Sequence, residues 1–101
     1  MEIAEIQADA LDLRAAHGWT LDDSALRLAY LMTEVGEVAR EVIELGHDGV
    51  RSEASRERLG MEIYDVVWNL CDLANILQVD LEAAFVKKAA LNRQRKWPDE
   101  Q

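Results

Sequence analysis

Apolar residues recur at helical spacing through nearly the whole chain, and no alternating strand pattern interrupts them. Ile3, Ile6, Ala10 and Leu13 make one stripe from about Ile3 to Ala16, and Gly18 supplies the stop. Thr20-x-x-Asp23 has the form of a capping box, so a second helix is predicted to begin there and to end near Leu45, before Gly46. Its core stripe is Leu28, Leu31, Val35, Val38 and Val42. His47-Asp48-Gly49 reads as a loop, and Ser52 as the N-cap of a third helix ending near Leu77. Gly60 lies inside that helix at a cost of about 1 kcal/mol against alanine, which marks either a close helix contact or a break. Asp80 is placed to cap a fourth helix through about Arg95, and the only proline, Pro98, falls in the tail. The pattern predicts an all-α protein of four helices in a single domain over residues 1–101.

The third helix is apolar around most of its circumference. Projected at 100° per residue, Ile63, Val66, Val67, Leu70, Leu73, Ala74 and Leu77 fill one broad arc, and Met61 and Trp68 extend it. Glu62, Asp65, Asn69 and Asp72 share the remaining narrow sector, which holds three acids and no lysine or arginine. An ordinary solvated face mixes both signs. On the second helix Glu34, Glu37 and Glu41 line the edge of the apolar stripe, where they can reach a neighbouring helix.

Glu34-x-x-Glu37 and Glu62-x-x-Asp65 therefore each set two carboxylates side by side, since residues three apart on a helix are neighbours. If the two helices face each other, four carboxylates converge. Such a cluster in a half-buried place requires neutralisation. All-oxygen ligation suits a hard divalent ion, so Mg²⁺ or Mn²⁺ is the expected guest, and phosphate chemistry the expected use. Either pair alone is common on solvated helix faces, and the competing reading is a helical interaction module with an acidic stripe. A di-iron carboxylate bundle needs Glu-x-x-His on two helices. The two histidines, His17 and His47, do not fit that spacing and read as loop residues. No EF-hand loop is present.

The net charge of −9 opposes direct binding to nucleic-acid polymers or acidic membranes, though a nucleotide can arrive carrying a metal. The single cysteine, Cys71, allows no intrachain disulfide and sits on an apolar stretch as a core residue. The acidic N-terminus lacks the form of a signal peptide, and no run approaches a membrane span, so a cytoplasmic protein is expected. The third helix carries more apolar surface than a small monomer easily covers, which predicts a homodimer or homotetramer. On the fourth helix Lys88, Asn92 and Arg95 fall on one face, with Arg93 and Lys96 near. This basic end complements a helix C-terminus; alternatively it holds phosphate oxygens. Trp19 is either a packing anchor or a platform for a base.

Taken in order, Glu34-Val-Gly-Glu37-Val-Ala, Glu62-Ile-Tyr-Asp65-Val-Val-Trp, Leu73-Ala-Asn, Val79-Asp80-Leu81 and Lys88-x-x-x-Asn92-Arg93-x-Arg95-x-x-Pro98 resemble the MazG-like nucleotide pyrophosphohydrolases, the all-α group that also holds dCTP pyrophosphatases and dimeric dUTPases. The resemblance spans roughly Trp19 to Pro98. It implies a four-helix MazG-like bundle completed by dimerisation, with active sites near subunit contacts. It implies Mg²⁺-dependent hydrolysis of a (deoxy)nucleoside triphosphate to monophosphate and pyrophosphate, with an activated water attacking the α-phosphorus, for nucleotide-pool house-cleaning. Glu34, Glu37, Glu62 and Asp65 would be the metal ligands and catalytic acids, with Glu37 or Glu41 as candidate proton acceptor. Trp19, Asn69, Lys88, Asn92 and Arg95 would contact substrate. Relatives often carry tyrosine where this chain has Asn69, whose reach is shorter. A specialised relative, a dUTPase or a phosphoribosyl-ATP pyrophosphohydrolase, fits the same motifs.

Overall fold

In the computed structural model, the described residues are 1–19, 23–48, 53–96 and 98, with the side chains of 47 and 48 excepted. They form four helices and no strand: α1 (Ile3–His17), α2 (Ser24–Asp48), α3 (Glu53–Ile76) and α4 (Leu81–Gln94). Thr20, Gly49, Ser52 and Trp97 lie outside the described residues.

The helix ends follow local chemistry. Gly18 takes the left-handed conformation (φ 66°), and its N–H and that of Trp19 donate to the carbonyls of Ala15 and Arg14 at 3.3 and 3.0 Å. This closure sets the direction in which Trp19 leaves the helix. Asp23 caps α2 directly, its Oδ1 accepting from the Leu26 N–H at 2.8 Å. Asp80 caps α4, accepting from the Ala83 N–H at 3.1 Å. Between α3 and α4, Gln78 adopts φ 58°, and the Val79 N–H reaches back to the Ala74 carbonyl at 2.8 Å. Gln7 of α1 clasps this turn. Its Nε2 donates to the Val79 carbonyl at 2.7 Å, its Oε1 accepts from the Leu81 N–H at 3.3 Å, and its carbonyl accepts from Asn75 Nδ2 at 2.9 Å.

Several boundaries differ from the sequence expectation. α2 runs through Gly46 to Asp48, because a glycine in a helix interior costs only about 1 kcal/mol and does not forbid it. His17 and His47 are helical residues, not loop residues. Gly60 neither breaks α3 nor admits a close neighbour, since a Cβ there would meet nothing within 4 Å. On α1 the buried stripe is Ile6, Ala10 and Arg14, with Leu13 exposed.

α2 packs along α3, α3 along α1, and α1 along α4. The result is open rather than closed. The radius of gyration is 16.6 Å, where about 13 Å is usual for a chain of this length. The accessible surface is 7581 Å², against roughly 5,800 Å² for a folded monomer of this mass. Leu28, Val35 and Val42 of α2 and Ile63, Leu70 and Leu77 of α3 remain exposed, although the sequence places them in core stripes. Leu31, Cys71 and Ala74 are buried. Burial pushes the Cys71 thiol up, as suits an inert core residue.

Candidate functional site

The polar stripe of α3 divides into two parts with different partners. Toward the N-terminal side, Glu62 and Asp65 meet Glu34 of α2, and one carboxylate oxygen from each lies within 4.8 Å of the others. Glu34 and Glu62 are half-buried and Asp65 is exposed. Burial pushes the Glu62 carboxyl above its ordinary value of 4.5, and the charges of Asp65, Glu34, Glu37 and Glu41 push it the same way.

Glu37 and Glu41 stand beside this trio rather than in it. Glu37 faces Arg40 at 3.7 Å, and Glu41 faces Arg58 at 3.6 Å. Both arginines are solvated and both contacts are long, so the pairs are weak, although the Glu41 side chain is itself largely covered. The donor set fits a small hard cation. Oxygens opposite one another on Mg²⁺ sit about 4.2 Å apart at a bond length near 2.1 Å. Only one pair of three oxygens can sit opposite, and adjacent ones sit about 3.0 Å apart, so the trio must draw closer by side-chain rotation to share one ion.

One turn further along α3, Asn69 is buried, and its Nδ2 donates to the Asp65 carbonyl at 2.8 Å. Its Oδ1 accepts from Arg27 Nη1 at 3.4 Å. Then comes Asp72, fully buried between two guanidinium groups. Arg14 of α1, 4% exposed, binds it as a fork through Nε to Oδ1 and through Nη2 to Oδ2, the latter at 3.0 Å. Arg27 of α2 places Nε 3.0 Å from Oδ2, an ion pair without hydrogen-bond alignment. Arg27 also lies over the Tyr30 ring, 5.2 Å from its centre.

Arg14, Trp19, Asp23, Leu26, Arg27 and Tyr30 line a cavity of about 270 Å³ beside this cluster. Trp19 stacks on His17, with ring centres 4.8 Å apart. A larger cleft of about 410 Å³, lined by Val42, Leu45, Gly46, Arg56 and Leu59, is almost wholly apolar. It lies more than two helical turns from Glu34 and contributes no chemistry.

The sequence model of the MazG nucleotide pyrophosphohydrolase domain matches residues 23–96, which contain α2, α3, α4 and the whole acidic trio. The chain belongs to this family. A MazG-family chain of this size also resembles the uncharacterized protein YvdC of Bacillus subtilis (strain 168), 34% identical over 89 residues that cover 81% of this chain and 84% of that one. No solved structure matches significantly.

Within the MazG domain, the structure brings Glu34, Glu62 and Asp65 together and leaves Glu37 adjacent. Asn69 stands one turn away, and Trp19 lines the neighbouring cavity. Lys88, Asn92 and Arg95 belong to exposed positions of α4 or its C-cap, and α4 packs on α1, with no extensive packing on α2. Arg14, Arg27 and Tyr30 had no part in the sequence reading. A signal existed for Arg14, which falls four residues after Ala10 and eight after Ile6 on the apolar stripe of α1. A charge at that position implies a buried partner. No helix among the described residues is long and apolar enough to cross a membrane.

Proposed function

We propose that this MazG-family protein hydrolyses a nucleoside triphosphate to the monophosphate and pyrophosphate in a Mg²⁺- or Mn²⁺-dependent reaction. The observation that carries this reading is the convergence of Glu34, Glu62 and Asp65 inside the MazG domain, with the Glu62 carboxyl pushed up by burial and by its acidic neighbours. Three unneutralised carboxylates this close cost stability unless a cation holds them.

Glu34, Glu62 and Asp65 would hold the ion, with Glu37, now facing Arg40, near enough to contribute. When bound, the ion neutralises phosphate charge, aligns the triphosphate and makes water more acidic. The protein supplies position and electrostatics. Glu37 and Glu41, paired only with solvated arginines, are placed to accept the proton of the attacking water. Asn69, anchored to the Asp65 carbonyl, keeps the base side of the site in register with the acids.

The remaining phosphate charge needs cations, and Lys88, Asn92 and Arg95 are the candidates. Because α4 packs on α1 in its own protomer, a second copy is the natural source of those groups. The surplus surface supports such a copy. Roughly 1,800 Å² per protomer exceeds the monomer expectation. Covering it in a pair would bury about 3,600 Å² in total, within the range of obligate homodimers. A groove of about 160 Å³ lined only by Val35, Val38, Ile63, Val66 and Val67 offers an apolar seat beside the acids. Sanitation of a deoxynucleotide pool in the cytoplasm is the role we assign to this activity.

The test is pyrophosphate release from a panel of NTPs and dNTPs, with and without Mg²⁺, on wild-type protein and Glu62→Gln. Metal-dependent release of monophosphate and pyrophosphate, lost by orders of magnitude in the folded variant, is the expected result. Equal behaviour of the two proteins removes the acids from catalysis and leaves the interaction-module reading.

A further inference from the structure

The polar residues that face one another across α2 and α3 fall on one lattice. Arg27, Glu34 and Glu41 follow at intervals of seven on α2, and Asp72, Asp65 and Arg58 at intervals of seven on α3, read in the opposite direction. Arg27 pairs with Asp72, Glu34 meets Asp65, and Glu41 pairs with Arg58. Seven residues make two turns, so the acids stand mid-seam with an ion pair about 10 Å along the axis on either side.

The two pairs have opposite polarity, with α2 giving the cation at one end and the anion at the other. They also differ in strength. Asp72 is fully buried and held from α1 by the Arg14 fork, and the Arg27 Nε that faces it at 3.0 Å is buried as well. Arg58 is exposed and meets Glu41 at 3.6 Å, while its Nη2 donates to Ser55 Oγ at 3.1 Å. The seam needs such support. Three carboxylates within 4.8 Å of one another repel. Apolar packing beside them is thin, because Val35 and Ile63 are exposed and line a groove of about 160 Å³ instead of filling it.

We infer that Arg27–Asp72 and Glu41–Arg58 are positioning pairs, which brace α2 against α3 on both sides of Glu34, Glu62 and Asp65 so that the three carboxylates stand together before an ion arrives. This rests on the metal reading of the acids. Attraction within the braces offsets the repulsion of like charges during folding, and binding then asks only for side-chain rotation. Each flanking cation is tied to its own partner, so it does not quench the acids. Asn69 extends the buried brace toward them through its bonds to Arg27 Nη1 and to the Asp65 carbonyl.

The experiment is Mn²⁺ binding to the chelator-stripped full chain, read from the electron-spin resonance of the free ion, with urea denaturation of each metal-free protein alongside. Glu41→Gln/Arg58→Gln removes the solvated brace and leaves the net charge at −9. Its Mn²⁺ affinity should fall about twofold to fivefold, the equivalent of one solvated pair. Glu41→Arg/Arg58→Glu rebuilds the brace with its polarity reversed and should restore the affinity. Arg27→Gln should weaken binding further, although it removes a positive charge, and Arg27→Lys, which keeps a cation against Asp72, should recover it. Should Arg27→Gln fail to fold, the solvated brace and its swap decide the matter. Unchanged affinity in the double variant, no recovery in the swap, or tighter binding by Arg27→Gln overturns the proposal. A lowered urea midpoint with unaltered Mn²⁺ affinity overturns it too and makes the pairs structural only. Wild type that binds no Mn²⁺ removes the metal reading itself, and the braces with it.

Discussion

Replacing Asp72 by asparagine tests the central packing feature of the molecule. Asparagine has nearly the same volume, so no cavity opens, and what is lost is the charge. Asp72 is 0% exposed and Arg14 4% exposed, so water cannot take the carboxylate's place at the Arg14 guanidinium. Breaking a buried ion pair from one side costs about 3–5 kcal/mol. Arg27, whose side chain is 21% exposed but whose Nε facing Asp72 is buried, loses its partner as well and adds to that cost. A chain of this length has a total stability of roughly 5–15 kcal/mol, so Asp72→Asn should be near the edge of folding. Urea titration at fixed protomer concentration measures this, since association would otherwise shift the midpoint. With a slope of about 1–3 kcal/mol per molar, the midpoint should fall by at least about 1 M. Arg40→Ala, which removes the solvated pair with Glu37, should cost less than about 0.5 kcal/mol. The double variant Arg14→Met/Asp72→Leu should recover only part of the loss, because the buried Arg27 Nε still loses its partner. A loss under about 1 kcal/mol in Asp72→Asn would refute the buried ion pair and mean that water reaches the guanidinium groups left behind.

Three further outcomes follow from the same geometry. The Glu62 carboxyl is raised in the fold, so below pH 4.5 it is protonated folded or unfolded and changes nothing. As pH rises from 4.5 through the raised value, the unfolded chain ionises first and metal-free stability falls. Thermal melts in chelator should therefore show wild type losing stability against Glu62→Gln across that window. Parallel pH curves for the two would contradict the crowding of charges, and a wild-type Tm unmoved by millimolar Mg²⁺ would contradict the metal site. Val66→Asp, in the apolar groove between α2 and α3, should shift an oligomer toward monomer in light scattering at micromolar concentration. A wild type already monomeric there would remove the second copy from the mechanism. Gln78→Gly should stabilise the protein by up to about 1 kcal/mol, because φ 58° strains any residue with a Cβ. Unchanged or reduced stability on chemical denaturation would show that the Gln7 clasp, not the backbone, sets the cost of that turn.

Local chemistry made much of the architecture legible. The period of the apolar positions, Gly18 as a stop and Asp80 as a cap predict elements that the structure has, since each acts within a turn of its own position. Glu34 with Glu62 and Asp65 was legible for a related reason. A helix fixes which neighbours share a face, so two acidic pairs on consecutive helices carried a meeting point in their spacing. Gly46 shows the limit of local rules, because a penalty near 1 kcal/mol was smaller than what α2 gains by continuing.

The partners of Asp72 were a different matter. In projection it sits in line with Glu62 and Asp65 and reads as a third acid of one stripe. Only the approach of α1 and α2 to that end of α3 turned it into the core of an arginine cluster. Sequence by itself determined the helices, the acidic pairs and the surplus of apolar surface, because these depend on spacing along one helix. Tertiary structure decided which acids stay together, which one is buried and which ion pairs join α2 to α3. Those outcomes depend on distances between residues as far apart as Arg14 and Asp72, which no local period encodes.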